Sequence, residues 1–294
     1  MKKYPVLAVI GGSGLYELDG IKTIKWNLIN TPFGKPSDKI LAAKYKGLAL
    51  YFLPRHGRNH SISPNKINYR ANIYALKKLG VTDIISVSAV GSLKKNHKPG
   101  DFILVDQYID RTLNRERTFF DNDIVAHVSL ANPTSTDLSK IIYASKIKKL
   151  NRVKLGGTYI AIDGPQFSTY AESLLFKSWN CDVIGMTNMP EAKLAREAEI
   201  RYVSIAMVTD YDCWHETEDN VDVTDIIKVL NENAENAKLL IKTFVEGYKH
   251  NRNNEIIDGI DNVLDTAIIT SNLSKEDFIK CGLDAVAARV INAR

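Results

Sequence analysis

Seven short apolar or β-branched runs punctuate the chain, at residues 6–10, 48–53, 84–87, 102–105, 158–162, 183–186 and 202–208. Runs of this length bounded by polar or turn residues predict buried strands. Between several of them, apolar positions recur at helical spacing, at 69–79, 138–150, 171–179 and 190–199. Strands that alternate with helices of this size predict an α/β fold with a largely parallel or mixed sheet, most simply a three-layer sandwich. Further on, Ile226, Ile227, Val229, Leu230, Ala234, Ala237 and Leu240 keep the helical spacing over 223–248, which predicts one long amphipathic helix. The polar stretch "KHNRNNEI" at 249–256 is the only plausible linker. After it the tail reads as helical again, with Ser274 capping "KEDFIKCGLDAVAARVI". Residues 1–250 are therefore expected to form the main domain, and 251–294 a helical C-terminal extension of that same domain.

Composition narrows the function classes. Apolar residues at 45% and charged residues at 25% are ordinary for a globular chain and argue against disorder. A net charge of +5 is modest for 294 residues, and the lysines are scattered. Nucleic-acid binding gains little support from this; a small anionic ligand or mere solubility explains the excess as well. The three cysteines, Cys181, Cys213 and Cys281, are widely spaced and form no CxxC pair. Neither a zinc site nor a disulfide framework is indicated, which predicts a reducing, cytoplasmic setting. The first apolar stretch meets glycines after six residues, too soon for a signal peptide, and no run approaches a membrane span of ~20 residues.

Chemistry-bearing residues gather at the ends of the expected strands. Two aspartates, Asp210 and Asp212, stand at the lip of the 202–208 run. Residues two apart on an extended chain share a face, so both carboxylates are expected to aim at one target. Neighbouring carboxylates shift each other's titration, and one can hold a proton while the other stays ionised. Glycines 11, 12 and 14 surround Ser13 after the first run, an arrangement that can cradle phosphate; a plain tight turn explains it as well. "RHGRNH" packs Arg55, His56, Arg58 and His60 beyond the second run, and a guanidinium fork binds phosphate oxygens in pairs. A solvated basic turn is the bland alternative, although ligands of open α/β sheets gather at such strand ends. No carboxylate or cysteine lies near His56 and His60 to complete a metal set. Ser88, Ala89 and Gly91 end a third run in small residues, and Met186 and Thr187 end a fourth. "GPQFST" offers Phe167 as a stacking surface or a packing residue, beside Ser168. Their convergence suggests a site with a phosphate end and a purine-like end.

Taken in order, "IGGSG", "TPFGKPSD", "RHGRNHSISPNKINYRANIYALK", "AVGSL", "PGDFILVDQYIDRT", "GPQFST", "GMTNMPEA" and "SIAMVTDYDCW" resemble the methylthioadenosine phosphorylases, within the trimeric purine nucleoside phosphorylase superfamily. The likeness runs from about Val6 to Tyr248, with the tail after about Asn251 outside it. It implies a three-layer sandwich with a mixed central β-sheet flanked by helices, a homotrimer, and reversible phosphorolysis of S-methyl-5′-thioadenosine. Inorganic phosphate would be the co-substrate, with no metal or organic cofactor. Carried over by motif, phosphate would be held by Ser13, Arg55, His56, Ser88, the Ala89 amide and Thr187. Met186 would cover the sugar and base, Phe167 would stack on the purine, and His60 would lie near the sugar. His127 would reach a neighbouring subunit's methylthio pocket, with Val223 and Ile227 lining that pocket, and Ser168 and Val223 would tune specificity. Asp210 would protonate purine N7 while Asp212 accepts from the 6-amino group. Gly185 stands where adenosine-type members usually carry asparagine, a feature closer to the methylthioinosine branch, so a 6-oxopurine enzyme is the nearest competitor. A nucleoside-binding sensor with the same fold is the non-enzymatic one.

Overall fold

A computed structural model describes residues 5–12, 15, 19–146, 152–215, 223–252 and 259–293, with the backbone alone at 223–227 and 249–251. Numbered in chain order, the seven apolar runs are strands β1 (Leu7–Gly11), β4 (Leu48–Pro54), β5 (Asp83–Ser92), β6 (Phe102–Val105), β9 (Thr158–Ala161), β10 (Val183–Gly185) and β11 (Arg201–Tyr211). Four further strands join them in one 11-stranded sheet: β2 (Lys22–Asn27), β3 (Ile40–Tyr45), β7 (Gln107–Asp110) and β8 (Val153–Leu155). β1, β4, β5 and β11 run parallel, whereas β3 is antiparallel to β4, β6 to β11 and β10 to β5. The sheet is mixed, as the resemblance implies.

Alternation along the strands builds the layers. In β1, Ala8 and Ile10 face one side and pack with Tyr74 and Leu76 of α1 (Tyr69–Lys78) and Leu194 of α4 (Asn188–Glu197). Leu7 and Val9 face the other, with Leu138 of α2 (Thr136–Ala144) and Leu240 and Phe244 of α5 (Val223–Asn251). The central strands are buried on both faces, hence their continuous apolar runs. A smaller cluster of Ile160, Ile184 and Trp214 lies under Phe176 of α3 (Tyr170–Ser178).

Two expectations need correction. The helix expected over 138–150 stops at Ala144, with Ser145 as its C-cap, and residues 147–151 lie outside the described part. The tail is not one helix after Ser274. Ser274 does cap α7 (Lys275–Lys280) in a capping box with Asp277, but the chain turns at Gly282, φ +71°, before α8 (Ala288–Ala293). Only glycine enters that conformation without strain. Leu264, Phe278 and Leu283 of this tail pack into the same core as α1 and α4. The long helix runs on to Asn251, and residues 253–256 of the expected linker lie outside the described residues.

Candidate active site

The carboxyl ends of β1, β4, β5 and β11 open on one cavity of about 600 Å³, within the usual range of small-molecule sites. Arg55, His56, Ser88, Ala89, Thr187, Met186, Phe167, Ser168, His60, Asp210 and Asp212 all line it, although they come from different loops and strand ends. Ser13 lies outside the described residues, with Gly12 and Leu15 on either side of it lining the cavity. The side chains of Val223 and Ile227 are likewise outside the description; Leu230, Asn231 and Ala234, further along the same helix, form cavity wall. His127 does not line its own chain's cavity. It sits exposed on a segment held by the tail, its amide donating to Ala267 O at 2.8 Å.

At the anion end, Arg55 is 2% exposed and most of its donors are spoken for. Its Nε and Nη2 donate to the two Glu191 oxygens at 2.8 and 3.0 Å, Nη2 also to Ser86 Oγ at 2.5 Å, and Nη1 to Val87 O at 3.1 Å. A guanidinium has five N–H donors, so one on Nη1 remains for a ligand. Burial works against its charge, but Glu191 beside it holds the pKa above the ordinary arginine value. Glu191 itself accepts further hydrogen bonds from Ser86 Oγ at 2.6 Å and Tyr202 OH at 3.0 Å. Ser88 Oγ and Thr187 Oγ1 are buried without a hydrogen-bond partner. Buried polar atoms are rarely left so, and both belong to residues of the cavity wall.

His56 is fixed by its own loop. Its Nδ1 lies 2.8 Å from Ile62 O, which can only accept, so Nδ1 holds the proton. Burial pushes the imidazole pKa down to about 4, against the Ile62 hydrogen bond and with help from the Arg55 cation and the His60 ring stacked at 4.4 Å. The neutral ring keeps Nε2 as an acceptor, complementary to the protonated oxygen of a hydrogen phosphate.

At the other end a bulge shifts the β11 register against β5 between Val208 and Asp210. Asp210 and Asp212 then converge on Gly91: a Cβ there would lie 3.1 Å from Asp210 Oδ1 and 3.4 Å from Asp212 Cβ. Thr209 Oγ1 donates to Asp210 Oδ2 at 2.6 Å. Asp212 is 5% exposed, its Oδ2 is unpartnered, and burial raises its pKa. Phe167 is 58% exposed at the cavity rim.

Gly185 proves to be half of a packed pair. A Cβ at this position would stand 2.0 Å from the hydroxyl of the fully buried Tyr159, which accepts from Thr187 N at 3.4 Å. The space for a side chain at 185 is filled by the Tyr159 ring, whose hydroxyl also holds the Thr187 amide. Glu191 and Arg115, by contrast, escaped the sequence reading. Met189 is extended (φ −114°, ψ 131°) between Thr187 and Glu191, so no helical spacing links the two.

The sheet thus brings unpartnered buried hydroxyls to one end of a single cavity and two carboxylates to the other, an arrangement suited to binding a small molecule. Residues 6–246 match the family model described as the phosphorylase superfamily. The chain belongs to that superfamily. It is 50% identical over 289 residues to an S-methyl-5′-thioadenosine phosphorylase of Rhodospirillum rubrum, with 98% of each chain covered. A Geobacter sulfurreducens protein of the same name is 52% identical, over 84% of this chain and 87% of that one. Among solved structures, a methylthioadenosine phosphorylase from an antarctic soil metagenomic library superposes with a TM-score of 0.87 at 42% identity, covering 97% of this chain and 99% of the other. The Schistosoma mansoni methylthioadenosine phosphorylase in complex with adenine gives 0.83 at 32% identity, covering 90% and 98%. The Rhodospirillum match corrects the sequence reading of the tail, because 98% of this chain cannot be covered without most of the residues after Asn251.

Proposed function

We propose that the protein catalyses reversible phosphorolysis of S-methyl-5′-thioadenosine to adenine and 5-methylthio-D-ribose 1-phosphate, with inorganic phosphate as co-substrate and neither a metal nor an organic cofactor. The observation that carries the reading is the unpartnered pair Ser88 Oγ and Thr187 Oγ1 beside Arg55, in one cavity with the two carboxylates over Gly91. Phosphate binds at the hydroxyl end, and the purine lies against Asp210 and Asp212. Adenine offers N7 as an acceptor and the 6-amino group as a donor. Asp210 gives its proton to N7 as the C1′–N9 bond breaks and its electron pair moves into the purine, which is general-acid catalysis of departure. A phosphate oxygen then bonds to C1′, and the positive charge that develops on the sugar is met by the phosphate dianion. Purine and methionine salvage are the pathways this reaction serves, and the cytoplasm is its place; three free cysteines and no helix among the described residues long and apolar enough to cross a membrane support that setting.

The direct test is release of free base from methylthioadenosine with and without phosphate, beside methylthioinosine, adenosine and inosine. Adenine released only with phosphate, and fastest from methylthioadenosine, is the expected result. Faster release from methylthioinosine would transfer the protein to the 6-oxopurine branch, and no turnover would leave a sensor.

The homotrimer belongs to this proposal. On α3, Tyr170, Leu174, Leu175 and Trp179 are 54, 41, 46 and 42% exposed, with Phe167 beside them, an apolar face that a second copy would cover. The same assembly would bring His127 to a neighbour's cavity. Light scattering should find three chains per particle, and Leu174→Glu should shift the mass to the single chain; an unchanged mass would remove this face from the interface.

A further inference from the structure

Arg115 does not line this cavity, yet its guanidinium makes more hydrogen bonds than that of Arg55. Its side chain is 2% exposed. Nη1 donates to the carbonyls of Met186 and Met189 at 2.8 and 2.7 Å and to Tyr69 OH at 3.2 Å. Nη2 donates to Asp163 O at 3.0 Å and to Asn65 Oδ1 at 2.8 Å, and Nε to the same Asn65 oxygen at 3.3 Å. Asn65 passes the hold onward, donating from Nδ2 to Gly164 O at 3.1 Å. The Met186 sulfur in turn packs on Gly164, where a Cβ would come within 2.2 Å of it.

Apart from Tyr69 and Met189, in the first turns of α1 and α4, these partners sit on three separate loops, one after β4, one after β9 and one after β10. Each loop contributes cavity wall: Pro64 from the first, Phe167 from the second and Met186 from the third. The loops after β9 and β10 are joined at their bases, where Ile162 N donates to Gly185 O at 2.9 Å, but among the described residues neither is joined to the loop after β4 by sheet hydrogen bonds. The sheet fixes Arg55 and Ser88 directly, Arg55 N donating to Gly11 O at 2.9 Å and Ser88 pairing with Ala206 of β11; the loop after β4 has no such link to the other two. A planar fork with five donors can fasten several carbonyls at fixed angles, which an ammonium cannot.

We propose that Arg115 is a positioning residue for the nucleoside half of the site, setting the spacing between the Met186, Phe167 and Pro64 loops without touching the substrate. It rests on the phosphorolysis reading above only in the choice of substrate. Misplacement of a binding group by about 1 Å can cost about 100-fold, so the effect should be large and should fall on nucleoside binding.

The test is steady-state kinetics of Arg115→Lys and Asn65→Ala against the wild type, with the nucleoside varied at saturating phosphate, and melting temperatures in parallel. The nucleoside is whichever of methylthioadenosine, methylthioinosine, adenosine or inosine the wild type cleaves fastest, so a wild type that prefers another substrate overturns the reaction assigned above and leaves this test intact. In Arg115→Lys the nucleoside KM should rise about 10- to 100-fold while kcat at saturation falls less than about threefold. Asn65 is exposed, so Asn65→Ala should fold normally and raise the same KM about 3- to 10-fold through release of Gly164 O. A purely structural role predicts the opposite split, with a lower melting temperature and active fraction and an unchanged KM, and that result would overturn the proposal. Should Arg115→Lys not fold, Asn65→Ala decides alone: an unchanged KM sinks it.

Discussion

Asp210→Asn should lower kcat/KM for methylthioadenosine by about 10²- to 10⁴-fold, the usual span of a lost general acid, and raise the turnover of methylthioinosine relative to it. Asparagine keeps the shape and can still donate a hydrogen bond to N7, but it cannot hand over a proton when the glycosidic bond breaks. Its amide can also donate toward a 6-oxo group, which two carboxylates cannot both do. In the unliganded geometry burial raises the Asp212 pKa, and its Oδ2 has no hydrogen-bond partner. Adenine sets which carboxyl keeps the proton. Its 6-amino group donates to Asp212 and stabilises the ionised form, while N7 asks for a donor from Asp210, and a hydrogen bond favours whichever protonation state it serves. Asp212→Asn should therefore show itself mainly as weaker binding, about 10- to 100-fold in KM, the loss of a hydrogen bond to a charged group. If Asp210→Asn leaves the ratio of adenine to hypoxanthine substrates where it was, the pair does not read the base as argued.

The strands that could be read from the chain are those buried on both faces, such as β1 and β11, where no position is left for a polar residue to interrupt the run. β2 was invisible for the opposite reason: it lies at the edge of the sheet with "KTIKWN" largely exposed. β8 is three residues long and only Val153 of it is buried, whereas the equally short β10 is buried throughout. The candidate site was legible because Arg55, Ser88, Thr187, Asp210 and Asp212 each stand just beyond a recognisable apolar run; β4, β5 and β11 are parallel and bring theirs to one edge, and β10, antiparallel to β5, brings Thr187 to the same cavity. What supports those residues was not. Glu191 pairs with Arg55 across 136 positions and Arg115 reaches Met186 across 71, so neither partnership leaves a local pattern. The packing of Gly185 against Tyr159 is hidden for a related reason, since the two are neighbours only across β9 and β10. The second layer of a site is a product of tertiary contact, and local sequence carries the first layer alone.

That second layer sets the remaining large effect, on Arg55. Arg55→Met removes the one Nη1 donor available to phosphate and should raise the phosphate KM about 10- to 100-fold, the equivalent of about 1.5–3 kcal/mol for a charged hydrogen bond. It should also destabilise the fold by about 3–5 kcal/mol, the typical result of breaking a buried ion pair from one side. Glu191 is 1% exposed and would keep only Ser86 and Tyr202 as donors to a carboxylate that no cation neutralises. The two losses have different causes and can be separated. In Arg55→Met with Glu191→Gln, the amide oxygen still accepts from Ser86 and Tyr202 and no buried charge remains, so most of the stability should return. The phosphate KM should not, because the donor is still missing. Denaturant midpoints and phosphate titrations of the single and double variants measure the two effects side by side. Recovery of phosphate affinity in the double variant would mean that Arg55 serves the anion only by neutralising Glu191, and that Ser88, Thr187 and the loop after β1 hold the phosphate without it.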